Sequence, residues 1–277
     1  MSQTPIQIAT RKSPLALWQA NHIKEQLERL WPNKTFALVP MVTSGDTFLK
    51  DKLIEIGGKG LFVKELEEAL LSHRADIAVH STKDMPAELP EGLILAAICK
   101  RDNPFDALVS AQYQSLDDLP LNARIGTASL RRQSQLLAYR PDLIIKSLRG
   151  NINTRIAKLE KGEYEALILA AAGLERMGLG SSIKEIISED LMLPSCGQGA
   201  LCIESRANDP DITQLIAGLH DSQTSLCVQA ERRVNAQLGG NCHTPLAVYC
   251  KILPNNALFL RARIGALDGS RFIEDSQ

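Results

Sequence analysis

Ile6-Gln-Ile-Ala-Thr-Arg-Lys-Ser-Pro-Leu-Ala-Leu-Trp18 sets a strand, a turn and a helix start within thirteen residues. Ile6 to Ala9 reads as a short apolar strand. Ser13 has the side-chain oxygen of an N-cap, and Pro14 suits the first helical position because its N–H would have no partner there anyway. Leu15, Trp18, Ile23, Leu27 and Leu30 then recur at roughly helical spacing. The unit repeats outward. Phe36 to Val42, Asp76 to His80 and Leu93 to Ile98 read as strands, with a helix over 61–72 between the first two. Strands alternating with amphipathic helices predict parallel pairing and helices on both faces.

The pattern restarts after Arg101-Asp-Asn-Pro104. Strands are predicted at Ala107–Val109, Arg124–Gly126, Leu143–Ile145 and Ala166–Ala170, with helices at 129–139, 151–161 and 171–178. Leu201 to Glu204 is one more strand, after the turn-rich Pro194 to Gly199. A helix over 222–238 and strands at Leu246–Lys251 and Leu258–Ile264 complete a small tail, with a turn at Asp268-Gly269. The expected boundaries are 1–99 with 200–217, then 100–199, then 218–277. The expected class is α/β: two doubly wound domains of the periplasmic-binding-protein kind facing a cleft, plus a small α+β C-terminal domain.

Composition narrows the function. The chain has 277 residues, 44% hydrophobic and 23% charged, at a net charge of −1. That suits a globular protein of two or three domains. Met1 to Trp18 lacks the pattern of a secretory signal, and no apolar run could span a bilayer. Six cysteines form no C-x-x-C pair, so reduced thiols in a cytoplasmic protein are expected, and no metal site.

The charge that is present is concentrated. Residues 124–158 hold eight Lys or Arg against one acid, Asp142. Arg131, Arg132, Arg149 and Arg155 offer planar forks that match carboxylate or phosphate. A near-neutral chain with 4% aromatics lacks the basic, stacking surface of a nucleic-acid binder, and no basic amphipathic anchor suggests a membrane partner. A small ligand with several carboxylates or phosphates fits best.

Candidate site residues fall beyond strand ends, where open α/β sheets bind ligands. Arg11 and Ser13 follow the first strand. Lys83 and Asp84 follow the third, in His80-Ser-Thr-Lys-Asp-Met-Pro86. Asp84 can accept from a cationic or N–H group on a substrate, or equally cap a turn. Gly126-Thr-Ala-Ser-Leu-Arg-Arg132 and Leu148-Arg-Gly-Asn-Ile-Asn-Thr-Arg155 each open a helix with polar groups and arginines. Gly150 allows close approach of a ligand. Thr43 to Gly60 suits a mobile lid, and Cys242, after Gly239-Gly-Asn, is either an accessible nucleophile or a small buried residue.

Together these segments resemble the porphobilinogen deaminase family. The resemblance rests on Ile8–Trp18, Gly57-Gly-Lys-Gly60 through Leu66, Asp76–Pro86, Ser129–Arg132, Leu148–Asn151, Leu193-Pro194 with Gly197–Ala200, and the Gly-Gly-Asn-Cys242 loop. It implies a monomeric enzyme that joins four porphobilinogen molecules head to tail with release of ammonia. It implies a dipyrromethane cofactor held by a thioether to Cys242, and Asp84 as the catalytic carboxylate. It gives Ser81, Lys83, Thr127, Ser129, Arg131, Arg132, Arg149, Gly150, Arg155 and Gln198 to cofactor binding. Arg11, Ser13, Gln19, Lys59, Phe62 and Arg176 fall to substrate or growing chain. Ala128 stands where the family often has serine, and Glu55 where some relatives have lysine. The family usually continues beyond Gln277 with a helix over the small domain's sheet. The competing expectation is a non-catalytic, two-domain anion-binding protein.

Overall fold

The computed structural model describes residues 4–47, 62–241 and 243–277. Glu55, Lys59, Cys242 and the glycines at 57–60 lie outside them. The chain divides into two compact units, 1–101 with 200–226 and 102–199 with 227–277.

In chain order, residues up to 101 form β1 (Ile6–Arg11), α1 (Pro14–Leu30), β2 (Phe36–Met41), α2 (Ser44–Thr47), α3 (Lys64–Leu71), β3 (Ile77–Ser81) and β4 (Leu93–Ile98). Residues 102–199 form β5 (Asp106–Val109), β6 (Arg124–Gly126), α4 (Leu130–Tyr139), β7 (Ile144–Lys146), α5 (Ile152–Glu160), β8 (Ala166–Ala170), α6 (Ala171–Arg176) and β9 (Ile183–Ile186). The remainder forms β10 (Leu201–Arg206), α7 (Pro210–Ile216), α8 (Ser222–Gln237), β11 (Leu246–Ile252), β12 (Leu258–Gly265) and β13 (Phe272–Ser276).

The first unit holds a sheet in the order β2-β1-β3-β10-β4, and the second one in the order β7-β6-β8-β5-β9. Pairings around β1 and β6 are parallel, as the alternation predicts. The expectation of parallel pairing fails at two strands. β10 runs antiparallel to β3 and β4, and β5 runs antiparallel to β8 and β9. Both are strands on which the chain arrives from the other unit, so no helical crossover sets their direction. Two strands, β9 and β13, and helices α2 and α7 are additions to the sequence reading. β9 is a short Ile-Lys-Glu-Ile segment and β13 is mostly exposed, so neither carries a strong apolar signal.

Local rules explain the helix starts. Ser13 accepts a hydrogen bond from the Ala16 N–H at 3.4 Å, Ser129 from Arg132 N–H at 3.4 Å, and Asn151 from Thr154 N–H at 2.9 Å. Alternation along the strands fills both faces of each sheet. Ile8, Ile77, Val79 and Ile203 pack with Ile23 and Leu27 on one side of the first sheet. Ala9 and Ala78 pack with Leu66 and Leu70 on the other. Leu108 and Ile125, against Val109 and Leu167, do the same in the second unit. Each fully buried Leu or Ile contributes about 1.5–3 kcal/mol.

The antiparallel sheet β11-β12-β13 lies in the second unit, where Ala247 and Tyr249 pack on Leu193 and Phe105. Among the described residues no helix is long and apolar enough to cross a membrane.

Candidate active site

The ends of β1 and β3 and the first turns of α1 enclose a pocket in the first unit. Its wall includes Arg11, Ser13, Gln19, Phe62, Val63, His80, Ser81 and Asp84. The structure brings Arg11, Ser13, Gln19, Phe62, Ser81 and Asp84, all singled out above, to the wall of this one pocket. The guanidinium carbon of Arg11 lies 4.3 Å from the Phe62 ring centroid. Gln19 is buried, and its Nε2 donates to Ser81 Oγ at 2.9 Å, which fixes the serine at the pocket edge.

Asp84 ends a 3-10 turn over Thr82–Asp84. Thr82 N–H donates to the Ala200 carbonyl at 3.0 Å, anchoring that turn to the strand β10. Asp84 is exposed and has no ion-pair or hydrogen-bonding partner among the described residues, so its carboxylate is available to a ligand. Lys83, beside it, is also exposed.

His80 also lines this pocket but faces inward, with Nε2 3.0 Å from Glu204 Oε2. Glu67 is buried on α3, which packs against β3 and β10, the strands that carry this pair. Burial, reinforced by the charge of Glu204 and opposed by His80, pushes its carboxyl up to about 7. Sequence reading assigned no role to Glu67 or Glu204. A glutamate inside the apolar run Leu201-Cys-Ile-Glu204 was the available signal, because buried carboxylates are rare unless paired.

In the second unit the arginine-rich stretch is more varied than a solvated positive face. Arg131 and Arg132 are 5% and 7% exposed. Both bind the buried Asp106, at 2.7 and 2.8 Å, and donate to the carbonyls of Leu193 and Ile168. Arg124 pairs with Glu165 and Arg140 with Asp142. A count over 124–158 misses Asp106 and Glu165, which sit outside that window. Gln198 joins the same cluster, donating to Asp106 Oδ1 at 3.1 Å and to the Pro104 carbonyl at 2.7 Å. The buried Glu231 accepts from Gly197 N–H at 2.7 Å and from Cys250 N–H at 2.8 Å, holding the Gln198 turn against β11.

Thr127 is buried, with Oγ1 accepting from Ser129 N–H at 3.2 Å. Arg149 is half-buried at the turn before α5 and has no ion-pair partner among the described residues. Gly150 adopts φ +113°, and an added Cβ would lie 3.0 Å from the Thr154 side chain. Arg155 Nε donates to the Gly150 carbonyl at 2.8 Å, which braces the turn.

Arg176 pairs with Asp102 at 2.8 Å and donates to the Gly199 carbonyl at 2.6 Å. It thus ties the point where the chain enters this unit to the point where it leaves. Gly199 is at φ +89°, with the Asp102 carbonyl only 2.8 Å from where a Cβ would be.

Two family models match. Residues 6–214 fit "Porphobilinogen deaminase, dipyromethane cofactor binding domain", and residues 225–277 fit "Porphobilinogen deaminase, C-terminal domain". The chain is 68% identical over all 277 residues to the porphobilinogen deaminase of Legionella pneumophila strain Lens, and 68% to that of strain Paris, covering 90% of each. Among solved structures it is similar to the periplasmic aliphatic sulphonate binding protein of Escherichia coli, at 13% identity and a TM-score of 0.46 over 86% of this chain and 75% of that one. A nutrient binding protein from Burkholderia cenocepacia gives 14% identity and a TM-score of 0.47, over 85% and 97%. The strand orders above, rather than these distant likenesses, carry the fold.

Proposed function

The chain belongs to the porphobilinogen deaminase family, and on that premise we propose how its own residues share the reaction. The enzyme joins four porphobilinogen molecules head to tail into a linear tetrapyrrole, releasing ammonia, and uses a dipyrromethane cofactor. Family membership does not favour the alternative of a non-catalytic anion binder.

The donor set of the second unit suits that cofactor. Each pyrrole unit brings an acetate and a propionate, so the group needs cations that acids have not already neutralised. Arg131 and Arg132 share one carboxylate, Asp106, and Arg149 has none among the described residues. When bound, the dipyrromethane group supplies the pyrrole carbon from which the chain is extended. Arg149 and Arg155, with Thr127, Ser129 and Gly150, hold its carboxylates and those of the growing chain. Arg131, Arg132 and Gln198 give this surface a fixed shape and residual positive charge. By family resemblance, Lys83 is assigned to cofactor binding, Lys59 to substrate or growing chain, and Cys242 to the point of attachment.

The single observation that carries the catalytic reading is the unpaired Asp84 carboxylate on the wall of a pocket it shares with Arg11, Ser13 and Gln19. Arg11 orients the substrate carboxylates. Asp84 accepts from the pyrrole N–H and offsets the positive charge that develops as ammonia leaves. Arg176 steers the chain as well as bracing Asp102. A cytoplasmic monomer without nucleic-acid or membrane partners completes the reading.

Intact mass spectrometry tests the attachment. The wild-type protein is expected to carry the added mass of two pyrrole units, and Cys242→Ala to lose it together with turnover. An unmodified wild-type chain with full turnover would remove the covalent attachment from the reading.

Arg149→His tests the anion ladder. Losing a charged, two-pronged contact costs about 1.5–3 kcal/mol. The variant is expected to accumulate an intermediate of one particular length on native anion exchange. A raised KM with no accumulated species would contradict the ladder.

A further inference from the structure

We propose that His80, Glu204 and Glu67 form a buried proton-accepting relay for the coupling step, an inference that rests on the function proposed above. The chemistry requires an acceptor. Each coupling breaks the methylene C–N bond, whose electron pair leaves with ammonia, and forms a C–C bond to a pyrrole carbon. That carbon then gives up its hydrogen as a proton, and the C–H electron pair restores the aromatic ring. No oxidant or reductant is needed, but the proton must go somewhere.

His80 stands on the wall that also carries Asp84. Its Nε2 is 3.0 Å from Glu204 Oε2, deep in the sheet, where Glu204 is fully buried. α3 covers this face, packing on β1, β3, β4 and β10. Within that layer of Ala9, Ala78, Leu66 and Leu70, two carboxylate oxygens, Glu67 Oε1 and Glu204 Oε1, are buried with no hydrogen-bonding partner among the described residues. A structural ion pair alone would not require a second carboxylate, and leaving acceptors unmatched is costly. The vacant acceptors fit a cluster that gains and loses a proton.

The groups facing Glu67 are few. β3 offers His80, β10 offers Cys202, Glu204 and Arg206, β4 has no titratable residue, and β1 has only Arg11 at its end. Arg206 is occupied by Asp76, Asp209 and the carbonyls of Leu70 and Ala75. On α3 itself lie Lys64, Glu65 and Glu68. Lys64 reaches Glu68, and Glu65 accepts from Ser44. Glu67 therefore titrates mainly against Glu204 and His80. Its carboxyl, raised to about 7, is suited to receive a proton near neutral pH.

The test uses the complete, cofactor-loaded enzyme and porphobilinogen deuterated at its free pyrrole α-carbon. In the wild type kcat is expected to rise with pH through about 7 as Glu67 loses its proton. Glu67→Gln is expected to lower kcat about a hundredfold with KM little changed. It should abolish that pH limb and make an isotope effect appear or grow. Its melting temperature at pH 8 should not fall, because a carboxyl whose folded value is raised destabilises the protein once ionised.

Glu67→Asp keeps a carboxylate and should retain the pH limb, so the inference stays testable if the Gln variant folds poorly. Wild-type pH profiles and isotope effects in Glu67→Gln, or a limb lost equally in Glu67→Asp, would overturn the relay. Wild-type enzyme that releases no ammonia from porphobilinogen would instead overturn the functional reading beneath it.

Discussion

Asp84→Asn is expected to lower porphobilinogen turnover by about a hundred- to ten-thousandfold while the protein remains folded. The carboxylate is exposed at the end of a 3-10 turn, so an isosteric amide disturbs no core packing. Surface changes of this kind usually shift stability by less than about 0.5 kcal/mol. The turn is held by Thr82 and Ala200 backbone atoms, not by the Asp84 side chain. On the function proposed above, the substitution removes the negative charge that offsets the positive charge developing as ammonia leaves. The loss should fall on kcat more than on KM, because the charge is most useful once positive charge has developed. Steady-state kinetics beside a thermal melt would decide it. A wild-type rate in a well-folded Asp84→Asn protein would remove Asp84 from the mechanism.

Asp106→Ala is expected to destabilise the second unit by about 3–5 kcal/mol. Asp106 is fully buried, and its carboxylate binds Arg131, Arg132 and Gln198. Removing it leaves two buried guanidiniums facing each other with only carbonyls to bind. Burial already pulls Arg132 below the usual arginine range, with Asp106 opposing that pull and Arg131 adding to it. The two units need not unfold together, so the denaturant transition should be followed with a probe in residues 102–199. Cofactor retention, read by intact mass, should fall in parallel, since the shape of the anion surface depends on this anchor. An unchanged denaturation midpoint would show that the pair of arginines is stable without its carboxylate.

How much of this was legible depended on distance along the chain. Ser13-Pro14, Ser129 and Asn151 announced their helices because a cap and the N–H it accepts lie three residues apart. β4, β6 and β8 were bounded correctly because short apolar runs stop where the chain turns polar. The antiparallel direction of β5 and β10 was not legible, because it follows from partners chosen far away in sequence. Asp106 and Glu204 were missed for the same reason. Their partners are 25 and 124 positions away, and an acid in a strand looks ordinary until its neighbours are known. The arginine count overstated the free charge of its region, since Arg124, Arg131, Arg132 and Arg140 are already paired. Lys59, singled out through family resemblance, and Cys242, singled out by its Gly-Gly-Asn loop as well as by that resemblance, lie outside the described residues.

The position of β10 between β3 and β4 also orders the birth of the molecule on the ribosome. β3 and β4 are made early, yet the strand that separates them does not emerge until residues 201–206 have been translated. By then every strand of the second unit's five-stranded sheet, β5 to β9, already exists. The later-encoded sheet can therefore close first, while the earlier one waits with a gap between β3 and its edge strand β4. Until it is filled, the backbone edges of β3 and β4 are open to the wrong strand, so chaperone demand should peak while residues 102–199 are being synthesised.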